Sequence, residues 1–305
     1  MCDVGALTNA VLEGDCIEKM KLMPESFISV CITDPPYNYE IIGRKWDNPE
    51  IARRLNKAKG SNSTTLVKNI PYGSGLSGGV RNPQWYKKSR QNILDYGEWC
   101  YDWGKELFRI CKPGATIAVF NSTRTIAHVQ VALERAGFYS RDIIVYRRPS
   151  GIPKGVNIKR QLEKDGYENA AKWEGWHSCL RNEWEAIVIV QKPLVGNYLK
   201  TFKTYGTGLF YTKTESGGFQ SNILENIPRE KNESYNTHCT VKPLALMSRL
   251  IEILVPPSDD CLLIDPFAGS GTTLLAAKKA GIPYLGIEIV PEYIEIIKRR
   301  LVALN

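Results

Sequence analysis

Apolar positions along this chain follow two alternating periods. Short runs rich in β-branched residues read as buried strands: "FISVCIT" (27–33), "ATIAVF" (115–120), "YSRDIIVYRR" (139–148), "EAIVIVQ" (185–191), "CLLID" (261–265) and "YLGIEI" (284–289). "NAVLEGD" (9–15) reads as a strand entering a turn, followed by the short amphipathic "CIEKMKLM". In "GEWCYDWGKELFRICKPG" the residues Trp99, Trp103, Leu107 and Ile110 fall at helical spacing, and Pro113-Gly114 ends the run. "RTIAHVQVALERAG" predicts a second helix closed by Gly137, and further helices are expected over 243–254, over 271–280 and from 291 onward. Strands alternating with helices of this length argue for βαβ units, hence an α/β fold with a doubly wound, mostly parallel sheet.

Two stretches break the rhythm. Residues 39–95 contain "KGSNST", "GSGLSGG" and "RNPQ", show little periodicity, and read as a long loop or mobile insert. Residues 148–240 mix Gly, Asn, Thr and Trp-rich pieces around the one convincing strand at 185–191. The expected organisation is therefore 1–38, the insert 39–95, the continuation 96–149, an irregular region 150–237 and a final half 238–305. Trp173, Trp176 and Trp184 are expected to fill a small core in the irregular region, since Trp is more often a packing anchor than an exposed wedge.

Charge sharpens this division. The 305-residue chain carries a net +8, and the excess is local: 11 Lys+Arg against 4 Asp+Glu in 39–95, and 16 against 11 in 141–242. Such stretches suit either solvated loops or a face that meets a polyanion. Eight scattered cysteines without a C-x-x-C pair fit reduced thiols and a cytoplasmic setting. With only His128, His177 and His238 present, no catalytic metal is expected. No run of about 18 apolar residues and no basic-then-apolar start is seen, so neither a membrane span nor a secretory signal is expected.

Two passages carry chemistry. In "CLLIDPFAGSGTTLLAAKKAG" (261–281) a strand ends in Asp265, turns through Gly269 and Gly271, and opens a helix at Thr272-Thr273. Glycines there admit a ligand close to the backbone, and the helix start offers unpaired N–H groups. Glu288 ends the next strand 19 residues beyond Gly269, near the spacing of roughly 20 at which a carboxylate meets ribose hydroxyls. A third fingerprint glycine and a Gly-Lys-Ser/Thr are both lacking, so an adenosine cofactor without polyphosphate fits best. Such a turn normally opens a nucleotide-binding domain. Here it lies near the end, so the last two strands are expected at the centre of the sheet in circularly permuted order.

The other passage is "SVCITDPPYNYE" (29–40), where a buried strand ends in Asp34, Pro35, Pro36 and Tyr37. Proline lacks an N–H and fixes φ, so the pair forms a stiff arm whose carbonyl oxygens remain acceptors. A carboxylate, a carbonyl and a stacking ring suit a flat heterocycle bearing an exocyclic NH₂. Accepting both N–H bonds favours a pyramidal nitrogen and drains its developing positive charge.

"TDPPYN" followed by "DPFAGSGTT" resembles the amino-methyltransferases of DNA that use S-adenosylmethionine, and the order of the two motifs resembles the beta group of that family. "LEGDCIEKMKLMP", "KPGATIAVF", "RNEWEAIVIVQKPL" and "HCTVKPLALMSRLI" are similar to further family segments. The resemblance implies a seven-stranded Rossmann-like sheet, with 150–237 as the target-recognition region. It places Asp34, Pro35, Pro36 and Tyr37 in the catalytic element. Asp265, Phe267, Ala268, Gly269, Ser270 and Gly271 would cradle the cofactor, with Thr272 and Thr273 at the helix start. Glu288 would take the ribose, Asp15 and Cys16 would lie near adenine, and His238, Thr240 and Lys242 would border the methionine portion. Cys239 departs from the proline common in that last segment.

The implied reaction is methylation of adenine N6 in double-stranded DNA on a flipped base. The Asp-first tetrapeptide leans towards adenine by resemblance. Cytosine N4 is the alternative, followed by RNA or a protein glutamine amide, and then by DNA binding without catalysis. A homodimer and a cognate restriction endonuclease are the further partners this family suggests.

Overall fold

The structure, a computed structural model, describes residues 4–37, 83–148, 155–238, 240–258 and 260–304. The expected loop features "KGSNST" and "GSGLSGG" and the departure at Cys239 lie outside the described residues. The strands are β1 (Ala10–Glu13), β2 (Ile28–Thr33), β3 (Cys111–Asn121), β4 (Tyr139–Arg147), β5 (Trp184–Gln191), β6 (Ile223–Leu224), β7 (Leu263–Asp265) and β8 (Tyr284–Glu288). The helices are α1 (Val4–Leu7), α2 (Cys16–Lys21), α3 (Pro83–Ile110), α4 (Ile126–Arg135), α5 (Ile158–Lys164), α6 (Tyr198–Tyr205), α7 (Leu244–Leu254), α8 (Thr272–Lys279) and α9 (Pro291–Val302).

One sheet unites the strands in the order β1-β8-β7-β2-β3-β5-β4-β6. It is parallel from β1 through β3, while β5 runs antiparallel to both β3 and β4. The last two strands of the chain, β7 and β8, sit between the N-terminal β1 and β2, so the order is permuted as expected, but they stand second and third of eight rather than at the centre of the sheet. Eight strands replace the expected seven because Ile223 and Leu224 of the irregular region add a two-residue edge beside Val145 and Tyr146.

Alternation along the strands divides the core in two. Cys31, Ile117, Val119, Val188, Ile264 and Ile287 face α2, α3 and α4, meeting Met20, Tyr96, Trp103, Leu107, Val129 and Leu133. Val30, Ile32, Ala118, Phe120, Ile187 and Leu263 face α7, α8 and α9, meeting Leu250, Leu254, Leu274, Ala277 and Ile297. All six residues of β2 are buried, as a strand covered on both faces must be. The helices that follow β2 and β7 pack on opposite faces, so the ends of these neighbours bound a crevice at the point where the winding reverses.

Two further expectations need correction. The loop reading of 39–95 fails for its last part, because α3 begins at Pro83 rather than near residue 96. Proline suits the first turn of a helix. Residues 90–95 are largely exposed, so they show no apolar period. The three tryptophans also do not fill a core: Trp173, Trp176 and Trp184 are 41%, 62% and 38% exposed. Around the first two, α5 buries no residue and Ala170 is the one buried residue of the short turn that carries Trp173, so among the described residues there is too little interior for them to occupy.

Two glycines report on this packing. A Cβ on Gly286 would lie 2.5 Å from Leu274 Cδ1, whereas one on Gly97 would meet nothing within 4 Å. Gly286→Ala should cost about 1–3 kcal/mol by overpacking β8 against α8. Gly97→Ala should raise stability by about 0.5–1 kcal/mol by removing a flexible residue from a helix interior. Denaturant midpoints of the two variants, moving in opposite directions, check both.

Candidate active site

β2 delivers the first half of the site. Asp34 follows its last residue, and the Tyr37 hydroxyl donates to Asp34 Oδ1 at 2.6 Å. Lys242 Nζ donates to Asp34 Oδ2 at 2.5 Å and lies 3.3 Å from the Tyr37 hydroxyl. The ammonium also stands 5.4 Å from the Tyr37 ring centre and 5.0 Å from that of Phe120. The carboxylate is thus mostly covered, paired with a cation, and braced by a phenol.

The turn between β7 and α8 delivers the second half. Gly269 and Gly271 both take positive φ, 53° and 78°, and Gly271 caps α8. A Cβ on Gly269 would sit 2.9 Å from His238 Nε2, and one on Gly271 2.8 Å from Ile297 Cγ1, so backbone conformation and space both demand glycine. Phe267 packs against Trp99 and Trp103 of α3 at 5.4 and 5.6 Å between ring centres.

Two buried carboxylates brace this turn. Asp265 accepts from Thr33 Oγ1 at 2.6 Å and from the Phe267 amide at 3.1 Å. Burial raises its carboxyl to about 6, against hydrogen bonds that include Thr273. Glu288 accepts from the Gly269 amide at 2.7 Å and the Val290 amide at 2.9 Å. Burial raises its carboxyl to about 7. No ion pair holds Glu288 among the described residues. A desolvated acceptor of this kind, beside a turn with no room for side chains, fits the hydroxyls of a nucleoside.

Asp15 and Cys16 lie one strand further out. β1 pairs with β8 so that Glu13 stands opposite Glu288, and the Gly14 amide donates to the Glu288 carbonyl at 2.9 Å. Asp15 caps α2 by accepting from the amides of Ile17 and Glu18. Cys16 is buried, and burial first and the Asp15 charge second push its thiol well up.

The segment before α7 closes the cleft. His238 meets Tyr293 edge-on at 4.6 Å and accepts at Nδ1 from the Thr240 amide at 3.3 Å. Burial, then the charges of Lys242 and Arg300, lowers its imidazole to about 4, so the ring is neutral near pH 7. Asp34, His238, Thr240, Lys242, Asp265, Phe267, Ala268, Gly269, Ser270, Thr272 and Thr273 line one cleft. Tyr37 joins through Asp34, and Glu288 through Gly269. Gly271 instead packs on α9, and Asp15 and Cys16 stand beside Glu288 rather than in the cleft lining. Lys242 touches the Asp34 carboxylate, a contact the motif alone did not foretell.

Sequence reading also passed over Arg300 and Glu185. Arg300 looks like one more base in "KRR", yet its side chain is 5% exposed and lies under the glycine turn. It donates to the Ser270 carbonyl at 2.7 Å and to Thr272 Oγ1 at 3.1 Å, and pairs with Glu233 at 2.9 Å. The apolar period of α9 carried the only signal, since Arg300 falls on the same face as Ile297. Arg300→Met should therefore remove about 2 kcal/mol of stability, because Glu233 and two turn acceptors lose their donor. Equilibrium denaturation checks this, and Arg299→Met on the neighbouring exposed position should change little.

Comparison with known proteins follows from this geometry. The family model for DNA methylases, N6_N4_Mtase, matches residues 28–299. The type II methyltransferase M.HindIII of Haemophilus influenzae is 30% identical over 302 residues, spanning 92% of this chain and 91% of that protein. The M1.HpyAVI-SAM complex shares the fold with a TM-score of 0.54 and 19% identity, covering 95% of this chain and 98% of that one. The cytosine-N4-specific PvuII DNA methyltransferase aligns with a TM-score of 0.57 and 16% identity, over 95% of this chain and 85% of that one. With both motifs converging on one cleft and the family match spanning nearly the whole chain, this protein belongs to the DNA methylase family of S-adenosylmethionine-dependent amino-methyltransferases.

Proposed function

We propose that this chain methylates the exocyclic N6 of adenine in a specific duplex DNA sequence, on a base turned out of the helix. The observation that carries the reading is that the Asp34 carboxylate and the Gly269–Thr273 turn open onto the same cleft. Glu288 would hold the ribose, Asp15 and Cys16 the adenine end, and His238 and Thr240 the methionine portion. S-adenosylmethionine supplies, when bound, a methyl group activated by its sulfonium.

Asp34 accepts one N–H of the target amine and a proline carbonyl the other, which draws the nitrogen lone pair out of the ring and onto the face that reacts. The same carboxylate stabilises positive charge as it grows on nitrogen. Tyr37 supplies a face for the base. Neutral His238 adds no cation to a cleft that must receive a sulfonium. The 150–237 region would recognise the target. Its exposed Trp173–Trp176 pair, 6.1 Å between ring centres, and its basic residues suit a nucleic-acid surface. The adenine reading draws on the Asp-first tetrapeptide. The likeness to a cytosine-N4-specific enzyme keeps N4 methylation of cytosine as the second reading. A cognate restriction endonuclease is proposed from the type II methyltransferase relative, and a homodimer remains a proposal from the resemblance. Among the described residues no helix is long and apolar enough to cross a membrane.

DNA from methylation-deficient cells, treated with the enzyme and then digested to nucleosides, should yield N6-methyladenine, and sequencing should map it to one motif. N4-methylcytosine alone would overturn the base assignment. Asp34→Ala should lower kcat by about 100-fold or more, while affinity for S-adenosylmethionine stays within about threefold.

The raised carboxyl of Glu288 gives a pH dependence. A ribose hydroxyl bonds best to the ionised carboxylate, so cofactor binding should release a proton below pH 7. Affinity should rise with pH by up to about tenfold per unit and level off above about 7. In the ligand-free protein the sign is opposite. Folded-state protonation of Glu288 adds stability that is complete below its ordinary value of 4.5 and lost as pH rises through about 7. Calorimetry in two buffers of different ionisation enthalpy reads the released proton, and Glu288→Gln should abolish it.

A further inference from the structure

β5 runs antiparallel to its neighbours, so its first residues reach the edge of the sheet where the parallel strands end. There Glu185, with a side chain 19% exposed, places Oε2 at 3.5 Å from Lys242 Nζ. Its other oxygen, Oε1, faces Arg148 Nη1 at 3.5 Å, and that guanidinium is anchored by donating through Nη2 to the Asn182 carbonyl at 3.0 Å. Oε2 is buried and has no hydrogen-bond partner. One ammonium thus stands between two carboxylates: it is bonded to Asp34 at 2.5 Å and lies just short of bonding to Glu185.

This matters for the reaction because Asp34 has two demands on it. Without substrate, a carboxylate this covered needs a cation. With an amine in place, the same ammonium is a competitor, since it holds an oxygen and withdraws the negative charge that the reacting nitrogen requires. A slide of about 0.6 Å would bring Nζ to hydrogen-bonding distance of Glu185 Oε2. The ring of Phe120, 5.0 Å from Nζ, offers the cation a second favourable contact.

We propose that Glu185 is a positioning residue that draws Lys242 off Asp34 when the target amine arrives, leaving the Asp34 carboxylate to accept the amine's N–H. The proposal rests on methyl transfer to an amino group at Asp34 and is indifferent to whether the base is adenine or cytosine. A buried acid that simply neutralises Arg148 would have no need of Lys242, and that difference is measurable.

The test is a double-mutant cycle with Glu185→Gln and Lys242→Met in the full chain, assayed by tritiated methyl transfer to the mapped duplex. Glu185→Gln alone should lower kcat by about tenfold, as expected for loss of one charge-assisted contact. Affinity for S-adenosylmethionine should stay within about twofold, and Glu185→Asp should recover part of the rate. In the Lys242→Met background the same substitution should change kcat by less than about twofold, because the residue through which it acts is gone. The cycle is repeated as target-duplex affinity of the enzyme saturated with S-adenosylhomocysteine, which needs no turnover. There Glu185→Gln should weaken binding only while Lys242 is present. Equal losses in both backgrounds, or no loss on Glu185→Gln alone, would overturn the role given to Glu185. Failure of the unmodified enzyme to methylate any DNA would instead overturn the proposed function.

Discussion

A hydrogen bond of 2.6 Å joins Thr33 Oγ1 to Asp265 Oδ1 across 232 residues of chain. It lies where two parallel inner strands, β2 and β7, end side by side, and the helices after them pack on opposite faces of the sheet. Everything chemical in the molecule hangs from these two ends. Asp34 is the residue after Thr33, and the glycine turn begins just past Asp265. Fixing Thr33 against Asp265 therefore brings the Asp34 carboxylate and the glycine turn into one cleft.

The cleft gathers acids and covers them. Asp34, Asp265, Glu185 and Glu288 all stand at one edge of the sheet, and the protein manages each differently. Asp34 has Lys242 and Tyr37; Asp265 has Thr33, Thr273 and a backbone amide; Glu288, among the described residues, has backbone amides. Burial raises both of the last two carboxyls, Asp265 to about 6 and Glu288 to about 7. Arg300 braces the glycine turn from below. It ties the carbonyl of Ser270 and the hydroxyl of Thr272 to Glu233, so the turn keeps its shape between α9 and the segment leading to His238.

β4 and β5 extend the main sheet and share its core, whereas α5 buries no residue and the tryptophans near it are exposed. Glu185 and Arg148, at the near ends of these strands, reach back towards the cleft.

Local chemistry in the sequence was enough to locate strands, helices and the two motifs. Apolar period, Pro-Gly stops and Asp-Pro-Pro-Tyr are properties of neighbouring residues, and neighbours constrain one another whatever the fold. The turn at Gly269 and its acid at Glu288 were legible for the same reason, since their spacing reflects one βα unit. Other features depend on contacts between distant residues, which no local pattern records. The reach of α3 back beyond residue 96 is hidden because residues 90–95, largely exposed, carry no apolar stripe. The exposure of Trp173 and Trp176 is decided by what packs over them, and among the described residues their aromatic contact is with each other. Arg300 beneath the turn, Lys242 against Asp34, and Glu185 beside Lys242 bring together segments distant in the chain. Only closing the sheet, with β5 reversed, puts those charges within a few ångströms of one another.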